Sequence, residues 1–215
     1  MTTMTPAGAR RIRRGFTLVE LLMVMAVAGV LLAMIVPVSR SLYESSNLTL
    51  GGQTVNDLLG VARQYAASQN QTVEVRFIKP DAGANGFNVV QLWRSAPAGG
   101  SAVPLDKATM LPSNIEISAN ANLSPILDPN ALAGAVSTMP TGGTTSGKPY
   151  VFFTIRPNGN VQVPKPQAGA TAADLEPKYF FTLLAARYDT GGILPTNYLI
   201  IQINPDTAST GVFQP

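Results

Sequence analysis

From Leu21 to Val36 the chain carries no polar side chain, and this stretch restricts everything around it. Immediately before it stand Gly15-Phe16-Thr17-Leu18-Val19-Glu20, and before those come four arginines, Arg10, Arg11, Arg13 and Arg14. About twenty apolar residues in helical form rise roughly 30 Å, the thickness of the hydrocarbon of a bilayer. Residues 16–38 are therefore expected to form a single transmembrane helix. The arginines read as a topology signal that keeps residues 1–15 in the cytoplasm. An ordinary secretory signal peptide fits less well, because the apolar run is long, begins with a carboxylate and lacks a small-x-small exit. Glu20 is the anomaly: a charge within such a segment costs about 3 kcal/mol even on the lenient insertion scale. With no partner for it inside the hydrophobic stretch, the expected compensation is a group on another chain. The alternative is a helix-end position near the headgroups, where the helix dipole favours an anion. Pro37 lacks a backbone donor and is expected to kink the helix near its exit.

Beyond the membrane segment the periodicity predicts one more helical stretch and then strands. Val55, Leu58, Leu59, Ala62 and Ala66 recur every three or four residues, an apolar face suited to packing on a sheet, with Arg63 and Gln64 outward. Gly51-Gly52 reads as a weak point in that helix, which is expected to stop between Ser68 and Asn70. From Thr72 the period changes to two. Strands are predicted over 72–78, 87–93, 115–117, 150–155, 160–163, 179–186 and 198–203, with a short closing strand over 211–213. Asn158-Gly159 between two apolar runs is a hairpin signal. Residues 95–113 read as irregular, and 119–148 as a long surface insertion of small and polar residues. The expected fold class is α+β: a long N-terminal helix, its first half membrane-spanning, packed on a C-terminal antiparallel β-sheet. The expected organisation is a basic leader over 1–15, a transmembrane helix over 16–38, an extended amphipathic helix over 39–70 and a sheet domain over 71–215 with a long loop at 119–149.

Composition removes several functional classes. There is no Cys and no His, which excludes disulfides, thiol catalysis, a Ser-His-Asp triad and the commonest zinc sites. The carboxylates are scattered, and no pair has a spacing that points to acid/base work. Asp81, Asp128, Asp189 and Asp206 lie in turn-like sequence, which explains them more simply. No enzyme activity is expected, and no cofactor. The basic balance of +3 is also misleading. The first 15 residues hold four of the 15 Lys+Arg and none of the 12 Asp+Glu, so the remainder has eleven against twelve, a formal charge of −1. Nucleic acid is not an expected partner, because Arg76, Arg94, Arg156 and Arg187 are dispersed along the sequence and 188–215 contain no Lys or Arg. Trp93 and the tyrosines sit in strand positions and read as packing residues.

The segment G-F-T-L-V-E followed by an apolar helix resembles the processing motif of type IV prepilins and of the pseudopilins of secretion machines. That resemblance implies cleavage by a prepilin peptidase between Gly15 and Phe16 and methylation of the new amino terminus at Phe16. Glu20 becomes the fifth residue of the mature chain. In the family it pairs with the terminal amine of a neighbouring subunit, a contact that fixes register between helices. Pro37 falls where the family often has its helix-kinking proline. Implied partners are the prepilin peptidase, other pilin or pseudopilin subunits and the bacterial inner membrane, with the C-terminal domain in the periplasm before assembly into a periplasmic or surface fibre. Finer features, Ala62-Arg63 and Ala66, then Val73, Val75 and Phe77, then Phe153 and Pro157-Asn158-Gly159, are similar to those of H-type minor pseudopilins and FimT-like pilins. The carboxy-terminal N-Y-L-I-I-Q-I-N-P-D-T resembles the Verru_Chthon cassette protein D family.

The function so implied is that of a structural subunit of a type IV pilus-like or type II secretion fibre. The competing reading is a membrane-anchored adhesin or ligand-binding pilin, for instance through the loop after Ala119. Some pilin relatives bind Ca²⁺ in a loop, but this sequence has no EF-hand spacing and no metal ligand is singled out.

Overall fold

The computed structural model describes residues 16–81, 83–96, 100–128, 137–140, 144–163, 178–189 and 192–215, without the side chains of 34–41. The leader, and 129–136 and 141–143 of the expected loop, lie outside the described residues. The chain divides into two units, Met1–Leu42 and Tyr43–Pro215. Helix α1, Leu18–Gln69, contributes to both.

In the first unit the large apolar side chains from Phe16 to Leu32 are 56–80 % exposed, whichever way they point. A helix that is apolar all round has no polar face for water and needs lipid or neighbouring chains to cover it. Among the described residues, no helix is long and apolar enough to cross a membrane. The expected span over 16–38 takes in 34–38, whose side chains are not described.

In the second unit, one stripe of α1 is buried: Leu48, Gly51, Gly52, Val55, Leu59, Ala62 and Ala66. The spacing of three and four keeps these residues on one face. Gly51 and Gly52 are not a weak point, because the helix continues through both. They are where the helix comes closest to the sheet. A Cβ on Gly52 would lie 2.5 Å from Leu199 Cδ1, and one on Gly51 would lie 3.2 Å from Ile115 Cγ2. The helix ends in a Schellman cap: Asn70 adopts φ 48°, and the Gln71 N–H donates to the Ala66 carbonyl at 3.2 Å.

The sequence led us to expect one sheet; the described residues form two, both antiparallel. The larger has the order β4-β3-β1-β8-β7, with β5 also on β3 and β9 also on β8. Its strands are β1 (Val73–Ile78), β3 (Val89–Arg94), β4 (Val103–Pro104), β5 (Thr109–Met110), β7 (Ser137–Thr138), β8 (Pro149–Ile155) and β9 (Val161–Gln162). The smaller has the order β12-β11-β10-β6-β2, from β2 (Gly86–Phe87), β6 (Ile115–Ser118), β10 (Phe180–Ala185), β11 (Tyr198–Ile203) and β12 (Thr210–Phe213). The run predicted over 87–93 is thus split, and the chain passes from one sheet to the other at Asn88. Phe77 joins the two sheets, packing on Phe153 of its own sheet at 5.6 Å and on Phe181 and Phe87 of the other at 5.4 and 6.4 Å. The Asn158-Gly159 hairpin forms between β8 and β9, with Gly159 at φ 85°.

Two further expectations are corrected. β1 alternates in sequence like a half-buried strand, yet all six of its residues are buried. Its outer face is covered by a second cluster of Ile78, Val89, Trp93, Met139 and Tyr150. The insertion after Ala119 is not wholly superficial either. Leu123, Ile126 and Leu127 are buried around a 3-10 turn at Pro125–Leu127, and Thr182 Oγ1 donates to the Leu123 carbonyl. The two-residue strands β4, β5 and β7 carry too short a pattern to be seen in sequence.

Because Leu199 closes on the backbone of Gly52, Gly52→Val should destabilise the chain by about 1–3 kcal/mol through overpacking. Chemical denaturation of the full chain in detergent, followed by the Trp93 signal, would measure it. A variant as stable as the parent would show that Leu199 has room to move.

Candidate functional site

The start of α1 is held by a reciprocal cap. The Glu20 backbone N–H donates to Thr17 Oγ1 at 3.2 Å, and the Thr17 N–H donates to a Glu20 carboxylate oxygen at 3.4 Å. This is the T-x-x-E capping box, which satisfies two donors that a helix start otherwise leaves open. The Leu21 N–H donates to the Thr17 carbonyl at 3.1 Å and closes the first turn. Within a single chain, therefore, Glu20 has local partners and sits at the positive end of the helix dipole. The pair Thr17 and Glu20 was legible in sequence as a capping signature, although the carboxylate drew attention there for its charge alone.

The other expected site residues are placed less fully. Phe16 is the first described residue and is 80 % exposed. Gly15 and the arginines at 10, 11, 13 and 14 lie outside the described residues. Helix α1 is continuous in its assignment through Pro37, whose side chain lies outside the described set.

Three clusters in the sheet domain were not visible in the sequence. The first is on the outer face of the larger sheet. Arg76 donates from Nε and Nη2 to one Glu74 oxygen at 2.9 and 2.6 Å, and its guanidinium lies 4.0 Å from the Trp93 ring centroid and 4.5 Å from that of Tyr150. The register explains the assembly: Glu74 faces Trp93 across β1 and β3, and Arg76 faces Gln91. A buried ion pair of this kind is tolerated because both charges are matched and the cation is flanked by aromatic faces.

The second cluster joins Glu116 on β6 to Asp189, just beyond β10. Asp189 is thus more than a turn residue: it is buried, and Ser118 Oγ donates to its Oδ1 at 2.7 Å. Burial, the charge of Asp189 and a hydrogen bond shared with it push the Glu116 carboxyl up from 4.5 to about 7, against a smaller opposing pull from Lys79. No sequence spacing could reveal this pair, because the residues are brought together by β6 pairing with β10. The third cluster comprises Arg94 and Arg156, expected to be dispersed, which line one groove of about 560 Å³. Val73 on β1 pairs with Arg94 on one side and is matched to Ile155 on the other, so the two arginines share one end of the sheet. Among the described residues no group of three or more His, Cys, Asp or Glu is placed to hold a metal ion.

Residues 10–36 match the prokaryotic N-terminal methylation motif. The match takes in the arginines, Gly15, Phe16, Glu20 and most of the apolar run, and it supports a type IV pilin-like protein. Such a protein is, in general, a substrate of prepilin peptidase, anchored in a membrane and assembled with other pilins. No curated protein and no solved structure matches the chain.

The Glu116 carboxyl gives a pH prediction. The folded state holds a proton there that the unfolded chain releases, so stability falls as pH rises from about 4.5 to about 7 and levels off above that. Thermal unfolding should show a Tm higher at pH 5 than at pH 8 by a few degrees, and Glu116→Gln should flatten that difference. If the variant keeps the full pH dependence of the parent, the proton is not held on Glu116.

Proposed function

We propose that this chain is a structural subunit, a minor pilin or pseudopilin, of a type IV pilus-like or type II secretion fibre. The observation that carries the reading is the continuous match over residues 10–36, which joins Gly15-Phe16 and Glu20 to an apolar helix. The helix supports it physically, since its large apolar side chains from Phe16 to Leu32 are exposed among the described residues. Lipid covers them before assembly, and neighbouring helices cover them in the fibre. The role is structural, with no catalytic step. A minor subunit is favoured by the large domain with its long insertion and by the likeness to H-type minor pseudopilins and FimT-like pilins, which rests on the sequence alone.

The chemistry follows from the ends of the helix. Residues 1–15 stay in the cytoplasm, and a peptidase cuts between Gly15 and Phe16. The cut leaves an amine on Phe16, which keeps its positive charge when methylated. That ammonium stands just ahead of a helix start at which Glu20 already accepts the Thr17 N–H. In a low-dielectric surrounding, an ammonium and a carboxylate are each costly alone and tolerable together. Glu20 of one subunit then pairs with the Phe16 amine of the next and sets the register between adjacent helices. The domain after the helix lies in the periplasm until the fibre forms.

Two substitutions separate the steps. Gly15→Leu should block processing, so that intact mass shows the full precursor in the native membrane. Glu20→Ala should be processed normally, with a methylated Phe16 at its amino terminus, yet enter fibres at least several-fold less well in a pull-down with its sister subunits. Normal cleavage of the first variant would remove the peptidase reading, and normal incorporation of the second would remove the register role.

A further inference from the structure

The ion pairs among the described residues are Arg76 with Glu74 and Arg187 with Glu44. Arg94 and Arg156 have no counter-charge there, yet both line the groove of about 560 Å³ at one end of the larger sheet. That volume falls within the range of small-molecule sites. Both arginines are exposed, so a solute reaches them freely. Among the described residues no Asp or Glu lines the groove, and its remaining polar wall is made of hydroxyls and amides, Thr72, Ser95 and Gln162 among them. Strand order puts the two cations here. Arg94 ends β3 and Arg156 follows β8, the strands on either side of β1, so two strand spacings set their backbones about 10 Å apart. Val73 of β1 is matched to Arg94 and to Ile155, which brings the two positions level to within one residue. Two long arginine side chains can close that span on one group between them. The Ser95 N–H donates to the Thr72 carbonyl at 2.9 Å and holds both hydroxyl-bearing residues beside Arg94.

Arg94 and Arg156 give this wall a formal charge of +2, which favours an anion. A guanidinium holds a carboxylate or a phosphate through two parallel N–H···O bonds. A carboxylate has only two oxygens, and a single fork occupies both. A second fork and neighbouring hydroxyls find acceptors on an anion with more oxygens. A phosphate monoester offers three, and its charge of about −1.5 to −2 at pH 7 matches the pair of arginines. A phosphodiester has two free oxygens and one charge, so it uses the pair less fully. We propose that this groove binds the phosphate group of a small phosphomonoester. The site is independent of fibre assembly, since no residue of the N-terminal motif contributes to it. Because both cations are exposed, the attraction is screened by salt, and binding weakens as ionic strength rises.

The probe is glycerol 3-phosphate, followed by the line width of its phosphorus resonance. The full chain would be held in a maltoside detergent, which contains no phosphate, at low ionic strength. The resonance should broaden saturably, with half-saturation at or below about 1 mM. Inorganic phosphate should displace the probe, and acetate and dimethyl phosphate at equal ionic strength should do so at least about tenfold less well. Arg94→Gln and Arg156→Gln should each weaken binding about tenfold or more, with an unchanged circular dichroism spectrum because both side chains are exposed. Arg63→Gln removes an exposed arginine of α1 outside the groove and should change the affinity by less than about twofold. The proposal is overturned if the probe does not bind saturably, or if acetate or dimethyl phosphate displaces it as well as inorganic phosphate does. It is also overturned if Arg63→Gln weakens binding as much as the groove variants, since the attraction would then be unspecific.

Discussion

Leu199 rests against the backbone of Gly52, and the sheet domain is organised around that approach. Two consecutive glycines in a helix interior lower its intrinsic stability, by roughly 1 kcal/mol each relative to alanine. The loss is offset because the helix can lie close enough for Leu199, Ile115 and Leu183 to reach its main chain. From there the buried stripe of Val55, Leu59, Ala62 and Ala66 continues along the helix. The two sheets then meet at Phe77, which touches three other phenylalanines and ties β1 to β2, β8 and β10.

The larger sheet has a second apolar layer on its far side, and this changes the meaning of the charged residues in β1. On a sheet with one wet face, Glu74 and Arg76 would be solvated surface groups of little energetic weight. Beneath Trp93, Tyr150 and Met139 they become a buried pair in which neither charge can be removed alone without cost. Met139, Trp93 and Tyr150 of the same layer also line a groove. Glu116 represents another response to burial: loss of solvation, and then the neighbouring charge of Asp189, push its carboxyl up to about 7.

Helix α1 combines two kinds of surface. Its early large apolar side chains are exposed among the described residues, whereas its later residues have one apolar stripe buried against the sheets. A surface apolar on all sides needs lipid or other chains to cover it, whereas the stripe is covered by the chain's own domain. The capping box of Thr17 and Glu20 marks where the first kind begins, and it places the carboxylate beside the point at which processing would create an amine.

What the sequence determined by itself was whatever depends on local pattern. The apolar run, the Gly15-Phe16 junction and Glu20 are contiguous, so a motif could be read without any fold. Helix and strand periods placed nearly all longer elements, and Asn158-Gly159 announced its hairpin because only a few residues tolerate that turn. The tertiary structure decided what depends on pairing between distant segments. That there are two sheets, that Gly51-Gly52 is a packing contact, that Glu116 meets Asp189 and that Arg94 and Arg156 share one end of a sheet all follow from strand order and register. These are set by the summed fit of side chains far apart in the chain, and no local spacing records them.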